Sequence, residues 1–144
     1  MHFLATHYHP DHAGLAQELK RVGIKLIVVD IQLPAIPILK TQLKPSNNYV
    51  EIDLKDNLVI TLAESRAFLA KLGIQGEIIA TPGHSDDSVS LILDDGSAFT
   101  GDLTHPMMAG EDHNGDIIKQ SWDAIRAHGG KRSYPGHGPV YPLE

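Results

Sequence analysis

There is no cysteine anywhere in the chain, which removes together a disulfide framework, a thiolate metal site and a cysteine nucleophile. Basic residues are in the minority, 12 Lys and Arg against 18 Asp and Glu, for a formal net charge of -6. No basic run with interleaved aromatics occurs. A nucleic-acid partner is therefore not expected, because phosphate neutralisation supplies most of that affinity, and highly anionic polymers rank low as substrates. Nowhere do about 18 apolar residues run together, so no membrane partner is expected. Met1-His2-Phe3-Leu4-Ala5 is too short for a signal peptide and has no basic n-region. The expectation is a soluble, cytoplasmic protein. Internal repeats, low-complexity tracts and domain linkers are also absent. With 144 residues, 42% hydrophobic and 21% charged, the chain has the size and make-up of one domain, 1–144, built on a single core.

What the chain has in quantity is histidine, nine in all. Three of them, with one carboxylate, fall in Thr6-His7-Tyr8-His9-Pro10-Asp11-His12. Neither a packed core nor a solvated surface has a physical reason to collect metal-ligand groups so densely. If Phe3-Leu4-Ala5 is a short buried strand, His7 and His9 lie two apart at its C-terminal end and leave the backbone on the same side, as two ligands of one ion would. Pro10 ends any strand, because it has no N–H for the ladder and a fixed φ. Asp11 and His12 are then able to turn towards a second ion. Imidazole with carboxylate suits zinc and also admits iron or manganese.

Along the rest of the chain, strands and helices alternate. Residues 2–6 read as a strand and residues 11–23 as a helix, with Leu15, Leu19 and Val22 at the helical period and Gly23 as its stop. Residues 25–30 form a β-branched run expected to be a buried parallel strand. Pro34, Pro37 and Pro45 make residues 32–48 a loop-rich wall with room for one short helix near 38–43. Residues 49–54 alternate like a half-buried strand. Residues 58–72 read as a helix through Leu62, Phe68, Leu69 and Leu72, closed by Gly73. A strand at 76–81 ends in Pro82-Gly83-His84. Residues 88–93 and 97–100 flank Asp94-Asp95-Gly96, a hairpin signal, and the second of them runs into Gly101-Asp102. Residues 104–116 read as a mobile polar loop. An amphipathic helix over 117–128 carries Ile118, Trp122 and Ile125, and a last strand at 131–134 closes with Pro135-Gly136-His137-Gly138.

Each of these signals alone has an ordinary explanation: His-x-His as a coincidental strand pair, Gly-Asp as a turn, Gly136-His137-Gly138 as a glycine-rich terminus. Their conjunction does not. The series His7-x-His9-x-Asp11-His12, Thr81-Pro82-Gly83-His84, Thr100-Gly101-Asp102 and Tyr134-Pro135-Gly136-His137-Gly138 resembles, in residue type, order and separation, the binuclear metal site of the metallo-β-lactamase fold superfamily. The resemblance implies an α/β fold, a truncated version of the family's αββα sandwich. It implies one metal held by His7, His9 and His84 and another by Asp11, His12 and His137, with Asp102 bridging them. The implied cofactors are two divalent ions, zinc first, with iron or manganese as alternatives. A bridging hydroxide would be the nucleophile, and Asp11 would receive its proton, so that Asp11 and Asp102 are the catalytic carboxylates. His2, His105, His113 and His128 lie outside the pattern, though His105 and His113 follow Asp102 closely enough to be considered for substrate contact.

In this family a set of strands normally precedes the first histidine motif, about fifty to sixty residues by ordinary strand sizes. Its expected absence leaves a sheet edge unpaired, so that the expectation is a homodimer covering the incomplete sheet or a fragment of a longer chain. Asp102 in place of a thiolate argues against the cysteine-containing β-lactamases. His9, where oxygen-reducing diiron proteins usually carry a carboxylate, argues against a redox role. The expected function is metal-dependent hydrolysis of a small-molecule ester, thioester, lactone or related bond. The alternative is a non-catalytic metal-binding chain that needs a partner to complete its sheet.

Overall fold

A computed structural model describes residues 1–144. The chain divides into two compact units, Met1–Thr61 and Leu62–Glu144, each with its own sheet and core. No helix is long and apolar enough to cross a membrane.

The first unit holds a three-stranded parallel sheet of β1 (His2–Leu4), β2 (Lys25–Val29) and β3 (Leu58–Ile60), with β2 in the centre. Leu26, Ile27, Val28 and Val29 are all buried, as a continuous β-branched run in a parallel sheet requires. Two short helices, α1 (Pro10–Ala13) and α2 (Ala16–Arg21), make the crossover from β1 to β2.

Four expectations fail in this part of the chain. The helix over 11–23 is broken at Gly14 and Leu15, and its buried face is Ala13 and Ala16 rather than the leucine stripe. Leu15 and Val22 are 67% and 76% exposed. Small side chains let the helices lie close to the core, so the larger residues at the helical period point outward. Gly23 does stop α2: at φ +94° it lets its own N–H reach Lys20 O and that of Ile24 reach Leu19 O, a Schellman closure.

Residues 49–54 form no strand. Their backbone is held by side chains instead, the Asp53 N–H donating to Gln17 Oε1 and Lys20 Nζ donating to Asp53 O and Lys55 O, while Ile52 is buried in the core. The helix over 58–72 splits, because Leu58-Val59-Ile60 pairs with Ile27-Val28-Val29 as β3 and only α3 (Ser65–Lys71) is helical. Residues 30–47 hold three short 3-10 turns in place of one helix.

The second unit is closer to expectation. β4 (Gly76–Ala80), β5 (Val89–Leu93), β6 (Ser97–Gly101), β7 (Arg132–Pro135) and β8 (Tyr141–Pro142) form one sheet in sequence order. The β4–β5, β5–β6 and β7–β8 pairs are antiparallel and β6–β7 is parallel. The parallel step is made by α4 (Gly115–Ala127), whose Ile118, Trp122 and Ile125 pack on Ile79, Ile92 and Ala98 of the sheet. One consequence of this pairing positions the site. β4, β6 and β7 all run the same way, so their C-terminal ends share one edge. The segment before α4 is tied down, with Trp122 Nε1 donating to Thr104 O at 2.8 Å and a 3-10 turn at Ala109–Glu111.

Candidate metal centre

The His and Asp groups able to hold a metal are His7, His9, Asp11 and His12 in the first unit, and His84, Asp102 and His137 in the second. In the first unit, the loop after β1 brings the ring centroids of His7 and His9 to 4.6 Å and those of His7 and His12 to 4.2 Å. Pro10 sits at the first position of α1, where its missing N–H costs nothing and its φ suits the helix. Asp11 falls in the first turn, with Oδ2 3.3 Å from His12 Nε2. The Thr6 hydroxyl meets His7 Nδ1 at 3.0 Å.

A residue that sequence reasoning passed over fixes this loop. Gln32 is fully buried, and its Nε2 donates to Ala5 O at 2.9 Å and Thr6 O at 3.3 Å while its Oε1 accepts from the Val29 N–H at 3.1 Å. It thereby clamps the end of β1 directly before His7. Nothing in the proline-rich stretch around it marks one glutamine as buried.

In the second unit, three strand ends supply one ligand candidate each. Asp102 follows β6, with Oδ2 3.7 Å from His84 Nε2 and Oδ1 3.6 Å from His137 Nε2. These separations are too long for hydrogen bonds. They are close to the spacing of two atoms bound to one tetrahedral ion, about 3.3–3.6 Å for bonds of about 2.0–2.2 Å. One carboxylate oxygen directed to each histidine is the arrangement a bridging ligand needs, and imidazole with carboxylate fits a divalent cation.

The supports of this half are buried hydroxyl pairs just before the motifs. Thr81 Oγ1 and Ser90 Oγ lie 2.7 Å apart across β4 and β5, and Thr100 Oγ1 and Ser133 Oγ lie 2.7 Å apart across β6 and β7. Beyond the second pair, the Gly136 N–H donates to Gly101 O at 2.7 Å. Helix α4 holds the His84 loop from below, Ser121 Oγ donating to Pro82 O at 2.7 Å and Asn114 Nδ2 to Gly83 O at 3.0 Å. Gly83 has φ +140°, and a Cβ there would come within 2.5 Å of Ile118 Cγ1. Thr81 and Thr100 stand within the motifs Thr81-Pro82-Gly83 and Thr100-Gly101, but nothing in the sequence marks them as buried supports. Asp112, before α4, accepts from the Asn114 N–H at 2.9 Å. That bond, with help from the Thr104 hydroxyl and the nearby His113 and His84, holds its carboxyl below the usual carboxylate value.

Residues 3–137 match the sequence profile of the Metallo-beta-lactamase superfamily. The chain belongs to the metallo-beta-lactamase superfamily. It is 29% identical over 139 residues to the Beta-lactamase-like protein 2 homolog of Drosophila melanogaster, covering 95% of this chain and 44% of that protein. The chain thus spans less than half the length of that curated relative. Among solved structures, it resembles the di-iron-bound form of TTHA1623 (22% identity, TM-score 0.67) and the B3 metallo-beta-lactamase BLEG-1 (22% identity, TM-score 0.70), in each case over 96% of this chain and 70% of the other. These likenesses establish the α/β metallo-beta-lactamase fold, in a superfamily of metal-binding proteins that are mostly hydrolases.

Proposed function

We propose that this chain is a binuclear metal-dependent hydrolase of small esters, thioesters, lactones or related bonds. The observation that carries the reading is Asp102, with a histidine at ligand spacing on each carboxylate oxygen, in a chain that also carries the dense ligand loop at residues 7–12. In this reading the two units form one domain, His7, His9 and His84 hold one ion, and Asp11, His12 and His137 hold the other, with Asp102 shared. Zinc is the proposed metal, with iron or manganese as alternatives that the same nitrogen and oxygen donors admit. Cytoplasm is the proposed compartment.

When bound, the ions supply a hydroxide nucleophile near neutral pH and polarise the oxygen of the bond to be cut. The chain's own residues do the rest. Asp102 fixes the spacing of the two ligand sets. His7 would hold an ion through Nε2, and the contact of its Nδ1 with Thr6 Oγ1 at 3.0 Å would then fix the tautomer and the ring orientation. Asp11, more than half exposed, takes up the proton released as the nucleophile attacks.

Elemental analysis of the purified chain, with turnover of chromogenic esters, thioesters, lactones and bis-phosphodiesters in added zinc or manganese, tests the proposal. Two equivalents of metal and a hydrolysis lost in both Asp102→Ala and His84→Ala support it. Metal uptake with no turnover on any substrate rejects it for the second reading, a non-catalytic metal-binding chain that needs a partner to complete its sheet. The specific observation favouring that reading is coverage of 44% of the Drosophila relative.

A further inference from the structure

A cavity of about 470 Å³ opens beside Asp102 and His137, and His105, Leu103, Pro139 and Tyr141 are among its walls. No lysine or arginine lines it, so away from the candidate metal ligands it has no permanently cationic side chain to pair with a carboxylate or phosphate tail. Outside the candidate metal ligands its polar side chains are Thr104, whose hydroxyl donates to Asp112 Oδ2, Tyr141, and the exposed His105, whose ring contacts mark which nitrogen accepts. The Met107 N–H donates to His105 Nδ1 at 3.1 Å, so Nδ1 is an acceptor and the proton of the neutral ring sits on Nε2. The ring lies against Tyr141 with centroids 4.4 Å apart, and Tyr141 in turn lies 6.2 Å from Trp122, which is buried and anchored through Nε1. Backbone and aromatic packing therefore hold a single-proton donor in place at a cavity wall.

We propose that this cavity receives the non-reacting part of the substrate, an aryl or branched alkyl group bearing an uncharged oxygen, and that His105 Nε2–H donates to that oxygen. Tyr141 and Leu103 supply the apolar contact. This assignment rests on the hydrolase reading for its place beside the reacting bond, but the binding itself does not require turnover. It narrows the substrate class to neutral esters, thioesters or lactones with an acceptor away from the bond that is cut, and it makes His105 a specificity residue.

Acetophenone and ethylbenzene have nearly the same shape and differ in one carbonyl oxygen, so titrating each into the zinc-loaded full chain isolates the donor. Acetophenone is expected to bind tighter by about two- to tenfold, the range one neutral hydrogen bond supplies, with movement of the His105 Nε2 signal in nitrogen-15 spectra. His105→Phe keeps a ring against Tyr141 and should erase the preference. His105→Gln, which places an amide nitrogen near the Nε2 position, should restore part of it. Equal binding of the two probes to the unaltered chain, no binding of either, or a preference that persists in His105→Phe overturns the inference, whether or not any ester is cut. A preference that depends on His105, in a chain that hydrolyses no ester, thioester or lactone, upholds the binding assignment and defeats the hydrolase reading alone.

Discussion

In the first unit the ligand candidates follow a single short strand without a break, His7 and His9 on the loop after β1 and Asp11 and His12 in the first turn of α1. In the second unit they come from three strand ends, and His84, Asp102 and His137 meet only because β4, β6 and β7 run in the same direction. The two halves are also held differently. A buried amide, Gln32, clamps the first through main-chain carbonyls, whereas buried hydroxyl pairs and helix α4 hold the second. A local loop needs one clamp where it leaves its strand. An assembled half depends on every element between its ligands, so it is the more vulnerable to changes far from any metal-binding side chain.

This contrast can be broken at graded cost. Asp102→Ala, which removes the carboxylate facing both His84 and His137, should lower hydrolysis by roughly three orders of magnitude or more and reduce bound metal, read by steady-state kinetics and elemental analysis. Gly83→Ala should destabilise the chain by about 2–4 kcal/mol in urea unfolding, because its Cβ would meet Ile118 and its φ disfavours a side chain. Gln32→Ala should cost about 2–3 kcal/mol by leaving the Val29 N–H without its acceptor, and should weaken metal binding at the first half by about tenfold or more.

Ser133→Ala should cost about 1–2 kcal/mol by stranding the buried Thr100 hydroxyl. The Thr100→Val and Ser133→Ala pair should cost less than the sum of the singles, as a double-mutant cycle would show. Smallest is an acid-side effect of Asp112. Its native carboxyl is held below the ordinary 3.8, so its contribution to stability is present above that value and is lost as pH falls through the lower native one. Asp112→Asn should flatten the stability profile there, below about pH 4, and near neutrality should lower stability slightly without changing its slope with pH.

Much of the second unit was legible because its elements are local in kind. The Asp94-Asp95-Gly96 hairpin and the Ile118, Trp122, Ile125 stripe formed as their patterns predict. The first unit was harder to read. Leu15 and Val22 sit at a helical period yet face outward, and the alternation over 49–54 met no partner strand, while Leu58-Val59-Ile60 did. Periodicity reports which residues share a face; it does not report whether a neighbour exists to cover that face. The site residues were legible as motifs, but their supports were not. Thr81, Thr100, Ser133 and Gln32 are ordinary polar residues until burial forces each to find a partner.

By itself, the order and spacing of residues determined the candidate ligands, because few other uses would place so many imidazoles and carboxylates beside glycines and strand ends. It also determined the family to which the chain belongs. Only tertiary structure decided that Asp102 has one histidine at each oxygen, that Gln32 holds the loop before His7, and that His105 Nδ1 accepts from the Met107 N–H. Those are relations between residues distant in the chain, or between a ring and a turn, and they exist only once strands have paired and a core has closed around them.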